Sequence, residues 1–215
     1  MSLRGSLPLC LLLAAALPAA ESPLFRFDDL RVGLSVTPLP DTKETIRTSG
    51  GSATVDWPEP SGYGYRGSIL WLTGSTRSNH GFIWGAELSF SSMVLGDDLT
   101  YTDAVTLSQT GIDLLAGWQY GITGQQSLRG HVEILPFIGT GFGWINKGAN
   151  ASGIYREYGL RTGAFLSERR WVAGVTASWV AMSQSLGVDT SSAAHSDLDF
   201  DARGLRYGVE AGYRF

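Results

Sequence analysis

A nucleophilic hydrolase needs a serine or cysteine beside a histidine, with an acid to orient the ring. In this 215-residue sequence the one local grouping of those types is His195-Ser196, followed by Asp197, Asp199 and Asp201 in "SDLDFDARG". It falls in a polar stretch between apolar segments. No His-x-Ser pair lies on an apolar face, so hydrolysis of a lipid is the lesser reading. Of the other histidines, His80 falls at a short turn and His131 near the base of an alternating segment. The three aspartates could offer carboxylates to a cation from one face of an extended chain, but the Gly and closing Glu of a twelve-residue calcium loop are missing. A solvated strand is the simpler account, and whether they bind a cation stays open. Asn150 opens a glycosylation triplet, a weak pattern. No catalytic, cofactor-binding or metal residue is assigned, and no cofactor is expected.

The elements that carry these residues are runs in which every second residue is apolar. They include Leu30, Val32, Leu34 and Val36; Tyr63, Tyr65, Ile69 and Trp71; Phe82, Trp84, Ala86, Leu88 and Phe90; and Ile112 through Tyr120 in steps of two. Further runs cover Val132 to Trp144, Tyr158 to Leu166, Trp171 to Trp179 and Leu205 to Phe215. A period of two marks strands with two unlike faces. About eight strands result. The second face carries many glycines and small polar residues, with the charges Arg66, Glu87, Asp113, Glu133, Arg161, Arg206 and Glu210 set among them. That face suits the packed lumen of a narrow barrel whose apolar face meets lipid. A salt-bridge network is the expected arrangement of the seven charges, in preference to an ion path, with Arg161 paired to Glu133 or Glu87. Carboxylates held among arginines are poor general acids.

Connection lengths alternate. Short links near 74–80, 121–127 and 167–170 face longer ones at 38–62, 94–103, 145–154 and 183–203. Aromatics gather at both strand ends: Trp71, Trp84, Trp118 and Trp171 beside the short links, Trp144 and Trp179 beside the long ones. Two girdles of this kind flank the apolar band of a membrane barrel.

The first twenty residues, "MSLRGSLPLCLLLAAALPAA", have the layout of a cleaved secretory signal: Arg4, an apolar core and small residues at Ala19 and Ala20. Cys10, the only cysteine, lies inside it, so residues 21–215 hold no thiol. No later apolar run approaches the ~18 residues of a membrane helix. An exported, membrane-spanning chain must then be a closed barrel. Charged residues make up 17% of the sequence and the formal charge is -4, which excludes a nucleic-acid surface.

The ending "GLRYGVEAGYRF", with Tyr213 and Phe215 in its apolar series, resembles the assembly signal of bacterial outer-membrane barrels. "LPFIGTGFGW", Leu135 to Trp144, is similar to a strand of the small OmpA/OmpX-like barrel domains. The resemblance implies an all-β, eight-stranded antiparallel up-and-down transmembrane barrel over 21–215, corresponding to the barrel domain alone. It implies residence in the Gram-negative outer membrane, periplasmic termini and extracellular long loops. Its partners would be outer-membrane lipids including lipopolysaccharide, and the barrel-assembly machinery during biogenesis. Pro136, awkward in a barrel without an edge, is expected to mark a bulge or a solvated carbonyl. The leading function is non-enzymatic: a surface protein whose loops serve adhesion, other interactions or envelope stability. A lipid A-modifying enzyme and a narrow channel or carrier for small or apolar solutes are the alternatives. Ligand, host partner and oligomeric state are not legible.

Overall fold

A computed structural model of the chain describes residues 25–38, 41–48, 51–56, 62–77, 80–95, 105–122, 128–147, 149–188 and 196–215. The segment read as a signal peptide and His195 lie outside them. The described residues form ten strands: β1 (Phe25–Pro38), β2 (Asp41–Thr48), β3 (Gly51–Asp56), β4 (Gly62–Arg77), β5 (His80–Leu95), β6 (Val105–Ile122), β7 (Leu128–Lys147), β8 (Ala149–Glu168), β9 (Trp171–Val188) and β10 (Ser196–Arg214). Eight of them, β1 and β4 to β10, pair in sequence order, and β1 pairs with β10 to close the ring. The protein is an eight-stranded antiparallel barrel.

Closure imposes a stagger. Paired residues lead once around the wall from Arg26 through Ser75, Phe82, Trp118, Ile134, Thr162, Ala177 and Tyr207 to Val36, ten residues further along β1. With residues ~3.3 Å apart along strands and strands ~4.8 Å apart, that stagger tilts the strands by about 40°. Such a barrel is just wide enough for side chains to fill.

The alternating apolar residues face outward along the strands' central stretches. Leu34, Leu114, Ile138, Val175 and Val209 are all more than half exposed among the described residues. A wall of this composition is matched to hydrocarbon, because most exposed side chains there are apolar, the hydroxyls of Thr110, Thr140 and Thr162 donate to strand carbonyls, and every strand has a partner on both sides. The girdle residues sit on the same outer face and meet edge to face: Trp71 with Trp84 at 5.4 Å, Phe82 with Trp118 at 5.8 Å, Trp171 with Tyr213 at 5.5 Å and Tyr158 with Trp179 at 6.1 Å.

Three expectations about the chain path need correction. The link placed at 145–154 is strand on both sides of residue 148, because the alternation of "GWINK" continues without a breaker. The link placed at 183–203 is mostly β9 and β10, so Asp197, Asp199 and Asp201 lie on a strand flanked by β9 and β2. The link at 38–62 contains the hairpin β2–β3, which adds to the upper part of β10 beyond the reach of β1. Pro136 makes no bulge. The β6–β7 register is the same on either side of it, Leu115 opposite Phe137 and Trp118 opposite Ile134, and only the intervening pairs are missing, as expected where the amide hydrogen is absent.

Candidate functional site

The lumen is where the chain concentrates chemistry. Strand parity sends one residue in two inward, and in the half nearer Phe25 and Phe215 (the proximal half) these include arginines and carboxylates too long to fit beside a bulky neighbour. Glycines opposite them supply the room: a Cβ at Gly139 would collide with the Asp113 carboxylate, and one at Gly163 or Gly174 with the Phe165 ring.

Ion pairs run through this half as one connected lattice. Arg214 donates to Asp29 at 2.6 and 2.8 Å, and Arg31 donates to Asp29 at 2.7 Å and to both oxygens of Glu133 at 2.7 and 2.9 Å. Arg31 also stands 3.8 Å from Glu210, which pairs with Arg161. Arg161 donates to Glu87 at 3.0 Å, and Glu87 accepts from Arg66 at 2.9 Å. Arg66 reaches Asp113 and Glu157, and Glu157 accepts from Arg206 at 2.8 Å. Every barrel strand except β9 contributes a charge to it. Five arginines face six carboxylates in these pairs, and His131 Nε2 stands 3.2 Å from Glu133. Buried charges survive only when paired and hydrogen-bonded, and the lattice achieves this by giving most guanidiniums two or more carboxylates.

All seven charges read from the sequence are in the lattice. Arg161 takes Glu87 as its partner; Glu133, the other candidate, is held by Arg31 instead, because the register sets Arg161 opposite Leu135. Asp29, Arg31, Glu157 and Arg214 went unread. Their signal was parity: Asp29 and Arg31 alternate with Leu30 and Val32, and Glu157 precedes the outward Tyr158.

Apolar side chains fill the space around the charges. Leu70, Leu72, Ile83, Leu115, Leu135, Phe137 and Val180 form one buried cluster. Arg31 lies over the Phe165 ring at 4.3 Å and Arg214 over Phe27 at 4.2 Å. Two small voids of about 30 Å³ each lie among the described residues, one bordered by Glu87, Asp113, Arg161 and Glu210, the other by Arg66, Gln109 and Met182, with Arg206 on the border of both. Asp113 Oδ1, Arg161 Nε and Glu210 Oε2 have no hydrogen-bond partner among the described residues, and the first void has charged groups on its border and is large enough for a bridging water.

One serine, histidine and acid do come together, though not those of the 195–201 stretch. Ser167 Oγ is 3.5 Å from His131 Nδ1, whose Nε2 faces Glu133. The distance is long for a hydrogen bond, Phe165 stacks on the imidazole at 5.4 Å, and Arg31 engages both oxygens of the acid. The group is part of the lattice. His80 opens β5 and stacks on Tyr120 at 6.3 Å. Among the described residues no three His, Cys, Asp or Glu side chains are arranged to hold a metal.

The distal half of the lumen is different. Met93, Leu107, Ile145, Tyr155, Met182, Leu186 and Phe200 pack into a second buried cluster. The polar contacts there are neutral: Gln109 donates to Gln184 at 2.6 Å and Ser91 donates to Gln109 at 3.0 Å. Many outward positions at this height are polar or charged, with Ser152, Arg156, Ser183, Ser185, Asp201 and Arg203 exposed, and Ile154 stands among them as an exposed apolar side chain.

No protein-family model and no curated protein matches the sequence. Among solved structures the chain is similar to the outer membrane protein OprG from Pseudomonas aeruginosa, at 13% identity and TM-score 0.49 over 88% of this chain and 95% of that one. Neisserial surface protein A is similar at 11% identity and TM-score 0.35 over 84% and 95%. So is Ail, the attachment invasion locus protein of Yersinia pestis, in complex with the heparin analogue sucrose octasulfate, at 15% identity and TM-score 0.36 over 88% and 99%.

Proposed function

We propose that this chain is a non-enzymatic barrel of the bacterial outer membrane, with its lumen braced shut and its work done by the distal end at the cell surface. One observation carries the reading: a single ion-pair lattice ties seven of the eight barrel strands together across the lumen and leaves voids of only about 30 Å³. Such a lumen stiffens the wall and passes no solute. In this orientation the strand ends near Phe25 and Phe215 are periplasmic. The distal strands and the hairpin β2–β3 stand above the outer leaflet, where adhesion, other surface contacts or reinforcement of the lipopolysaccharide layer take place.

The outward Tyr213 and Phe215 on the last strand support recognition by the barrel-assembly machinery during insertion. The test compares cells with and without the protein for surface attachment and detergent sensitivity, alongside mass analysis of lipid A and conductance of the purified barrel in planar bilayers. Altered attachment or sensitivity with unchanged lipid A and no steady conductance is the expected result. A changed acyl pattern would establish the enzymatic alternative.

A second reading has an observation of its own. The distal lumen is lined by Met93, Leu107, Met182, Leu186 and Phe200, a surface suited to a small apolar solute if these side chains move apart to admit one. Uptake of such a solute into vesicles carrying the protein, above that into empty vesicles, would favour a carrier.

A further inference from the structure

The turn between β8 and β9 spends an arginine where glycine is the natural residue. Arg169 has φ of 54°, the only positive φ among the described non-glycine residues, a backbone conformation that L side chains avoid and glycine adopts freely. The next residue is also arginine. Arg170 is fixed in place, its Nη1 donating to the Tyr213 hydroxyl at 3.1 Å, its guanidinium 5.9 Å above that ring and its carbonyl accepting from the Arg214 amide at 2.7 Å. Glu168, Arg169, Arg170, Trp171 and Tyr213 border a hollow of about 430 Å³ at the proximal girdle. Two guanidiniums and one carboxylate leave it one net positive charge.

A second feature of the same hairpin lies further up its outer face. Thr162 and Ala164 of β8, Val175 and Ala177 of β9, with Ile134 and Tyr207 at the sides, border a trough of about 640 Å³ in the apolar wall. The pairs Ala164 with Val175 and Thr162 with Ala177 put small side chains side by side, while Leu160, Leu166 and Trp179 stand proud around them. From Arg170 to Ala177 is about 23 Å along the strand, hence about 18 Å along the barrel axis at a tilt near 40°. One leaflet contributes about 15 Å of hydrocarbon.

We infer that the β8–β9 hairpin is a binding site for one anionic glycerophospholipid of the inner leaflet, its phosphodiester held at Arg169 and Arg170 and one acyl chain lying in the trough. The two halves of the site match the two halves of the ligand in charge, polarity and spacing. An arginine at a glycine position is then kept for its side chain, not for the turn. The inference rests on the outer-membrane reading for the leaflet it names.

The test uses the full barrel in neutral detergent, with bound lipid counted by native mass spectrometry at equal concentrations of phosphatidylglycerol and phosphatidylcholine carrying the same chains. Heat-dependent gel mobility is run in parallel on every protein, so that loss of the barrel itself is read separately from loss of the site. Wild type should retain phosphatidylglycerol at least fivefold over phosphatidylcholine. Arg169→Gly combined with Arg170→Gln should abolish that preference, and Ala164→Leu combined with Ala177→Leu should reduce retention of both lipids while keeping the preference. Equal retention of the two lipids by wild type, or an unchanged preference in the arginine variant, would overturn the inference. So would full displacement by millimolar glycerol phosphate, which would identify a site for soluble phosphoesters. Arg169→Gly alone relieves the turn and should fold at least as well as wild type, so the headgroup arm remains readable if the double variant does not fold.

Discussion

The proximal and distal halves of this barrel obey opposite rules. In the proximal half the outer face is apolar and the lumen holds the arginine–carboxylate lattice; in the distal half the lumen holds Met93, Leu107, Ile145, Met182, Leu186 and Phe200 while Ser183, Ser185, Asp201 and Arg203 face outward. The same strands run through both. Solvent explains the inversion. Where the outside is hydrocarbon, apolar residues face out at no cost, and the lumen takes the polar residues, which pair because no bulk water reaches them. Where the outside is water, the ordinary preference for an apolar interior returns. The changeover lies near the second girdle, around Tyr65, Phe90, Tyr158 and Trp179.

The comparison can be broken most severely at Arg31. Its side chain is fully buried and serves Asp29 and Glu133 at once, so Arg31→Ala leaves Glu133 without its main partner and Asp29 with Arg214 alone. A loss of about 3–5 kcal/mol in urea unfolding from detergent or vesicles is expected. A loss below 1 kcal/mol would mean that the proximal lumen is not held by its charges.

In the distal lumen the corresponding change is Leu186→Ala, at a fully buried position. Here the cost should be that of a cavity, about 2–5 kcal/mol, and insensitive to salt. If added salt altered it as much as it alters the Arg31 variant, the two halves would not differ as described.

The outer face offers a paired test of smaller size. Val209→Arg puts a charge in the apolar wall and should cost about 2–4 kcal/mol in vesicles. Ser185→Arg, outward on the distal strands, should fall within about 0.5 kcal/mol of wild type. Equal penalties at the two sites would place Ser185 in the membrane and move the changeover.

The smallest effect separates turn from wall. Arg169→Gly relieves a left-handed backbone and should stabilise by about 1 kcal/mol, measured by the same unfolding assay. A loss of stability would show that the arginine side chain contributes to the folded barrel itself.

Period-two alternation was enough to read which residues face out, where the girdles lie and that about eight strands close on themselves, because side-chain direction in a strand is local and needs no knowledge of the partner. Parity also carried Arg66, Glu87, Asp113, Glu133, Arg161, Arg206 and Glu210 into the lumen. It was less informative above the second girdle, where continued alternation in β7 to β10 changes its meaning because the outside becomes water, so strand was read as loop. Which charges meet was beyond the sequence. Arg161 reaches Glu87 and Glu210, 74 and 49 residues away, and Arg31 reaches Glu133 across 102 residues. Those encounters depend on the ten-residue stagger at closure, a sum over all eight strand registers, and a change in any one of them would give the same inward residues different partners.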